Sequence, residues 1–97
     1  MSKALDKASV QQAHSYGRQL ILQKHNEEAF KVFRANAAKH PEAWIVHAGL
    51  ARVYSAEGKF DDAVKEMKVA QQGAPDPQKP QIDGLVKRLE AKEDINR

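Results

Sequence analysis

The sequence predicts an all-α fold, a right-handed α-solenoid of two helix-turn-helix repeats followed by a C-terminal capping helix. The first observation is an internal repeat, because residues 13–41 superimpose on residues 47–75 at an offset of 34 positions. The second is that apolar residues recur at three- and four-residue spacing between glycine and proline stop signals. The matched pairs are Ala13 with His47, Tyr16 with Leu50, Gly17 with Ala51, Leu20 with Tyr54, Ala29 with Ala63, Phe33 with Met67 and Pro41 with Pro75.

The first two helices follow from capping signals. Ser9 and Gln12 have the spacing of a capping box, which predicts a helix over residues 10–24. Asn26 and the two glutamates after it predict the start of a second helix, over residues 26–39. The Asn26 side chain can accept a hydrogen bond from the exposed amides of the first turn, and the negative charge of the glutamates is favourable there.

Proline and glycine delimit the next two helices. Pro41 fits the first turn of a third helix, which continues through Tyr54 and ends at Gly58, because glycine readily adopts the left-handed conformation of a helix end. A fourth helix over residues 60–72 closes at Gly73.

The last helix begins near Pro80 and runs to about Asp94, after the proline-rich residues 74–80, which cannot continue the fourth helix. It presents one apolar face, so we expect it to cover the open end of the second repeat. The residues of that face are Ile82, Leu85, Val86 and Leu89.

The repeat positions predict how the helices pack. Small residues permit close helix crossings, and we expect this role for Gly17, Ala29, Ala51 and Ala63. Large residues fill one continuous core between the hairpins, and we expect this role for Tyr16, Leu20, Phe33, Leu50, Tyr54, Phe60 and Met67. The predicted units are a flexible leader (1–8), repeat 1 (9–41), repeat 2 (42–75), a proline-rich turn (76–80), and a capping helix with its tail (81–97).

Composition excludes several classes of protein. The chain has 97 residues, of which 41% are hydrophobic and 30% charged, so one modest core is expected. No apolar run approaches the roughly 20 residues that span a bilayer, and the first ten residues lack the apolar core of a signal peptide. Without cysteine, disulfides and thiolate zinc sites are impossible. The net charge of +3 is dispersed among acidic residues, and we expect no nucleic-acid or membrane partner.

Residues 10–75 resemble two tetratricopeptide repeats on the matched positions given above. Ala13 and His47 replace the tryptophan of the family pattern, Leu20 replaces its tyrosine and Ala51 its second glycine. These departures are tolerated in the family. The resemblance implies a non-enzymatic module that binds a peptide or a partner protein in a concave groove lined by the first helix of each repeat.

A finer resemblance concerns the parent protein. Phe33, Asn36 and Pro41 fit a repeat variant that is found as the C-terminal tail of longer bacterial proteins, and residues 51–96 are similar to tails that follow a β-rich domain of unknown function in exported bacterial proteins. As such a tail, the chain would be periplasmic or extracellular, and any activity would lie in another domain. As a whole protein, it would be cytoplasmic.

The register of the resemblance assigns the inward-facing groove positions. Arg18 and Arg52 share one repeat position, and two guanidinium groups along one groove would suit a carboxylate or phosphate on an extended peptide. The alternative is that both are solvated arginines paired with nearby Glu or Asp, which base rates for surface arginine favour. The ten assigned positions are Gln11, His14, Ser15, Arg18, Leu22, Ile45, Ala48, Gly49, Arg52 and Ala56.

No catalytic, metal or cofactor site is expected. The four histidines never recur at the three- or four-residue spacing of a helical metal site. His14 and Ser15 are adjacent, so their side chains point about 100° apart on a helix and cannot act as base and nucleophile. Beside groove binding, the second hypothesis is a structural C-terminal tail that docks on a missing domain or self-associates, and we expect a monomer or a weak homodimer.

Overall fold

The computed structural model describes residues 9–96, and this range contains five α-helices, one 3₁₀ turn (Asp76–Gln78) and no strand. The predicted all-α class is therefore confirmed. The helices are α1 (Val10–Leu22), α2 (Asn26–Lys39), α3 (Trp44–Ala56), α4 (Phe60–Gly73) and α5 (Lys79–Glu90). The predicted leader, residues 1–8, lies outside the described residues, as does the final residue.

The helices stack in chain order. Each helix packs on the next one, and α1 also packs directly on α3. The resulting body measures 38 × 29 × 17 Å. The first helices of the two repeats are therefore neighbours, and the groove positions predicted on α1 and α3 belong to adjacent elements.

The start of α1 is as predicted, and the start of α2 is not. Ser9 Oγ accepts a hydrogen bond from the Gln12 amide at 3.1 Å, and the Ser9 amide donates to Gln12 Oε1 at 2.9 Å, which is a complete capping box. At α2, the N-cap is His25 and makes no side-chain capping bond. The expectation that Asn26 caps this helix was wrong, because Asn26 is already its first helical residue.

Pro41 precedes α3 instead of starting it, which corrects the predicted boundary. The amide of Ala43 donates to the carbonyl of His40 at 3.0 Å, so Pro41 is the second residue of a tight turn, a position that its fixed φ favours. Ala43 is extended and forms the N-cap of α3. At the other boundary, Gly73 belongs to α4 and Ala74 is the C-cap.

Three helices end in the same way, 34 residues apart. Lys24, Gly58 and Lys92 have φ values of +65°, +77° and +62°, and each lies just beyond the end of α1, α3 or α5. In each case the amide of the next residue donates to a carbonyl in the last turn of the helix. The three bonds are His25 to Leu20 at 2.8 Å, Lys59 to Tyr54 at 2.8 Å and Glu93 to Arg88 at 2.9 Å. The helix α5 therefore ends at Glu90, four residues before the predicted Asp94.

The buried residues form two clusters that share α3, where one continuous core was expected. The first cluster, built by α1, α2 and α3, has Phe33 at its centre with no exposed surface. A Cβ built on Gly17 or Gly49 would come within 2.5 or 2.4 Å of the Phe33 ring, so these glycines admit the ring between α1 and α3. Tyr16 was expected in the core but is 41% exposed. The second cluster comprises Ala48, Ala51, Ala63, Met67, Ala70, Ala74, Ile82, Val86, Leu89 and Ile95.

Candidate partner-binding groove

The ten positions predicted to line the groove differ in their exposure. On α1, the exposed residues are Gln11, Ser15, Arg18 and Leu22. On α3, the partly buried residues are Ile45, Arg52 and Ala56. The buried residues are His14, Ala48 and Gly49, which pack between helices and offer little surface to a partner. The accessible part of the predicted groove is thus mainly its α1 side.

Two arginines and a buried histidine are brought together where α1 meets α3. His14 is 8% exposed, and its ring lies 5.6 Å from the Phe33 ring, measured between centroids. Burial, together with the positive charges of Arg52 and Arg18, lowers the pKa of His14 to about 4. His14 is therefore neutral at physiological pH, and the net charge of this cluster comes from the two guanidinium groups.

Arg52 is held by the protein itself. Its Nη1 donates to the carbonyl of Ile95 at 3.3 Å, and its Nε is buried without a hydrogen-bond partner among the described residues. Burial and the positive charges of Arg18 and Arg88, opposed by the Asp94 carboxylate, lower the pKa of Arg52 to about 10. The guanidinium group remains charged at neutral pH.

Residues 94–96, which we call the closing segment, occupy the C-terminal part of α3. Ser55 Oγ donates to Asp94 Oδ1 at 3.0 Å and accepts from the Ile95 amide at 3.0 Å. The Asn96 side-chain amide donates to the Arg52 carbonyl at 2.8 Å. Sequence reasoning missed this arrangement, because it extended the last helix to Asp94. A signal was available in the 34-residue spacing, which places the end of α5 at the position equivalent to Gly58.

A cleft of about 280 Å³ lies between the closing segment and the turn that joins α1 to α2. Its α1 wall includes the exposed Leu22, and its opposite wall includes the closing segment on α3. The residues that line it are Ile21, Leu22, Lys24, Asn26, Ala56, Asp94 and Asn96.

Two kinds of feature are absent from the described residues. Within residues 9–96, no group of three or more His, Cys, Asp or Glu side chains is arranged to hold a metal ion. In the same range, none of the helices is both long enough and apolar enough to cross a membrane.

The stacked hairpins define a helical-repeat protein. A family model described as tetratricopeptide repeat matches residues 20–89, which is more than half of the chain, and the chain belongs to this family. The match begins near the end of α1 and continues almost to the end of α5, so it includes the helix predicted to cap the array. Comparison with curated proteins and with solved structures gave no match.

Membership of this family gives a general function. Tetratricopeptide repeats generally mediate protein–protein interactions, with proteins or peptides as partners, and they are typically non-catalytic.

Proposed function

We propose that this chain is a non-enzymatic interaction module that binds a peptide or partner protein along the groove face of α1 and α3, and that it favours acidic peptides. The observation that carries the proposal is the pair of arginines at one repeat position. Arg18 and Arg52 are both close enough to His14 to lower its pKa, so their charges act in one small region. Arginine forms bidentate hydrogen bonds with carboxylates, which suits acidic side chains on an extended peptide.

Arg18 is the residue through which the proposal is best tested. It is exposed, whereas Arg52 binds the closing segment, so replacing Arg52 would change the fold as well as the groove. The matched control is Arg34 on α2, which is also exposed and lies over the Phe30 ring at 5.4 Å. Arg18→Ala and Arg34→Ala remove the same charge from two different faces.

The experiment is a heteronuclear NMR titration of labelled protein with a pool of acidic peptides. We expect shifts of the Gly17 and Gly49 amides and of the Arg18 side chain, which are lost in Arg18→Ala and kept in Arg34→Ala. Equal responses of the two variants, or shifts that avoid α1 altogether, would contradict groove binding.

A second candidate function is supported by apolar exposure on α1. Leu22 is 69% exposed and Tyr16 is 41% exposed, so the same helix could dock on another domain or on a second copy. Sedimentation velocity over a wide concentration range tests self-association. If α1 forms the contact, Leu22→Lys abolishes a concentration-dependent increase in sedimentation coefficient, whereas Val69→Lys on α4, where the valine is 46% exposed, preserves it.

A further inference from the structure

The closing segment is bound to α3 in the manner of a short peptide ligand. Both backbone groups of Ile95 form hydrogen bonds with α3. The Ile95 amide donates to Ser55 Oγ at 3.0 Å, and the Ile95 carbonyl accepts from Arg52 Nη1 at 3.3 Å. The carbonyl of Asp94 also accepts from Arg88 Nη2 at 3.2 Å. These contacts hold a short turn between α3 and α5, and within this turn Asp94 Oδ1 also accepts from the Asn96 amide at 3.0 Å.

Each residue of the closing segment adds different side-chain chemistry. The Asp94 carboxylate accepts from the Ser55 hydroxyl at 3.0 Å, and the Asn96 amide donates to the Arg52 carbonyl at 2.8 Å. Between them, Ile95 is only 4% exposed and belongs to the same buried cluster as Leu89. The surface thus recognises an acidic residue, an apolar residue and an amide residue in that order.

The bound segment satisfies this surface incompletely. Arg52 donates to it through a single nitrogen at 3.3 Å, and Arg52 Nε is buried without a hydrogen-bond partner among the described residues. A buried donor without an acceptor opposes closure, because it has lost its contact with water. The segment also follows Lys92, whose positive φ costs conformational energy for a residue with a side chain. The closed arrangement is therefore open to competition.

We propose that residues 94–96 are an internal competitor for the α3 side of the groove, and that the external ligand of this side is a peptide with the same acidic, apolar and amide order. This inference rests on the proposed function, since it specifies the chemistry of a partner for the same groove. In the closed protein, the closing segment covers the C-terminal part of α3, and full occupancy of the groove requires displacement of this segment.

The experiment measures binding of a fluorescein-labelled peptide with the sequence of residues 91–97 by fluorescence anisotropy. The opened variant is the full chain with Asp94→Ala, Ile95→Ser and Asn96→Ala. We expect it to bind the peptide about tenfold more tightly than the unchanged chain. The apparent affinity is reduced when the site is free in only a small fraction of the molecules. Glu42→Ala, at an exposed position in the turn before α3, is the matched control, and a peptide in which Asp and Ile are exchanged is the control for sequence order.

The location of binding is tested by Ser55→Ala in the opened variant. This change removes the hydroxyl that contacts both the acidic side chain and the backbone of the segment, so we expect binding to be lost. Equal affinity of the opened and unchanged chains, or binding that survives Ser55→Ala, would overturn the proposal.

A milder variant covers the case in which the opened chain does not fold. Asn96→Ala removes the 2.8 Å bond to Arg52 and leaves the buried isoleucine in place. We expect faster hydrogen exchange of the Ile95 amide together with tighter peptide binding. Unchanged exchange and unchanged affinity would refute the internal competitor.

The outcomes separate this inference from the proposed function. Acidic peptides that shift α1 of the unchanged chain support groove binding, whatever the tail peptide does. If these peptides bind and the tail peptide fails in the opened variant, only the internal competitor is refuted. If the tail peptide binds the opened variant while acidic peptides leave Arg18 unaffected, the α1 side is not the binding surface.

Discussion

His14 shows how one buried side chain can make stability depend on pH. Its ring packs near Phe33 with 8% exposure, and Nδ1 has no hydrogen-bond partner among the described residues. Burial and two nearby arginines lower the pKa of His14 from 6.5 to about 4 in the folded protein. A proton therefore binds the unfolded chain more readily than the folded one.

We expect the free energy of unfolding to decrease as the pH falls from about 6.5 towards 4. A folded pKa below the unfolded value makes the neutral imidazole favourable for folding above pH 6.5, and this advantage is lost on acidification. Between pH 7 and pH 5 the loss attributable to His14 is about 2 kcal/mol. Urea unfolding of His14→Leu should lack this part of the slope, whereas His25→Leu, at an exposed position, should keep it.

Two glycines are needed for the space that they leave and not for a left-handed backbone conformation. Gly17 and Gly49 are helical, and the ring of Phe33 occupies the space that a Cβ would fill. The sequence identified Gly17 as a close helix crossing, but it did not identify the aromatic ring as the group that approaches it.

Gly17→Ala is expected to destabilise the protein by about 1–3 kcal/mol, because the buried ring must move to accept the methyl group. Gly84→Ala is the matched control, since a Cβ at this exposed position of α5 meets nothing within 4 Å. There the higher helix propensity of alanine should stabilise the protein by about 0.5–1 kcal/mol. Urea unfolding measures both, and changes of the same sign would contradict the packing argument.

At the scale of the element, the ends of α1, α3 and α5 use one geometry with different residues. Gly58 adopts its positive φ without strain, whereas Lys24 and Lys92 adopt similar angles with a side chain present. The local hydrogen bonds across the three ends are equivalent, so the geometry is set by the helix end and is tolerated by lysine.

Lys24→Gly should therefore stabilise the protein by about 0.5–1 kcal/mol, and Gly58→Ala should destabilise it by a similar amount. The two changes act on the same conformation in opposite directions. Thermal unfolding followed by circular dichroism would measure the pair, and a lower melting temperature of Lys24→Gly would show that the lysine is not strained at this position.

The helices could be predicted because their signals are local. The capping box at Ser9, the stop at Gly58 and the apolar spacing of α5 lie within a few residues of the structure they specify. Pro41 was misplaced because proline fits both the first turn of a helix and the second position of a tight turn, and only the hydrogen bond from Ala43 distinguishes them.

The closing segment could not be predicted from such signals. Ser55 and Asp94 are 39 residues apart, and nothing in either neighbourhood indicates that they meet. The register placed Arg52 on the groove face, but it could not show that the protein supplies a ligand for it. A short polar segment of this kind also resembles an ordinary helix extension in its composition.

At the scale of the whole molecule, the closing segment completes the second cluster of buried residues. Ile95 is 4% exposed and lies in the same cluster as Met67 of α4 and Leu89 of α5. Part of the stability of the array therefore depends on a residue outside the helices.

We expect Ile95→Ala to lower the free energy of unfolding by about 2–4 kcal/mol, because it removes buried apolar atoms and leaves a cavity. Leu22→Ala is the control, since Leu22 is 69% exposed and its loss should change stability by less than about 0.5 kcal/mol. Chemical denaturation of both variants tests the difference, and equal effects would show that the Ile95 side chain does not contribute to the core.

The position of Phe33 between Gly17 and Gly49 has a consequence for cooperativity. A ring on α2 that packs against both α1 and α3 ties the two hairpins together, so one hairpin cannot unfold without exposing the packing surface of the other. In long repeat arrays, terminal units can unfold separately, but here the shared ring favours a single transition. Fluorescence of Trp44, the only tryptophan, and far-ultraviolet circular dichroism should then give one denaturation midpoint, and two distinct midpoints would mean that the repeats unfold independently.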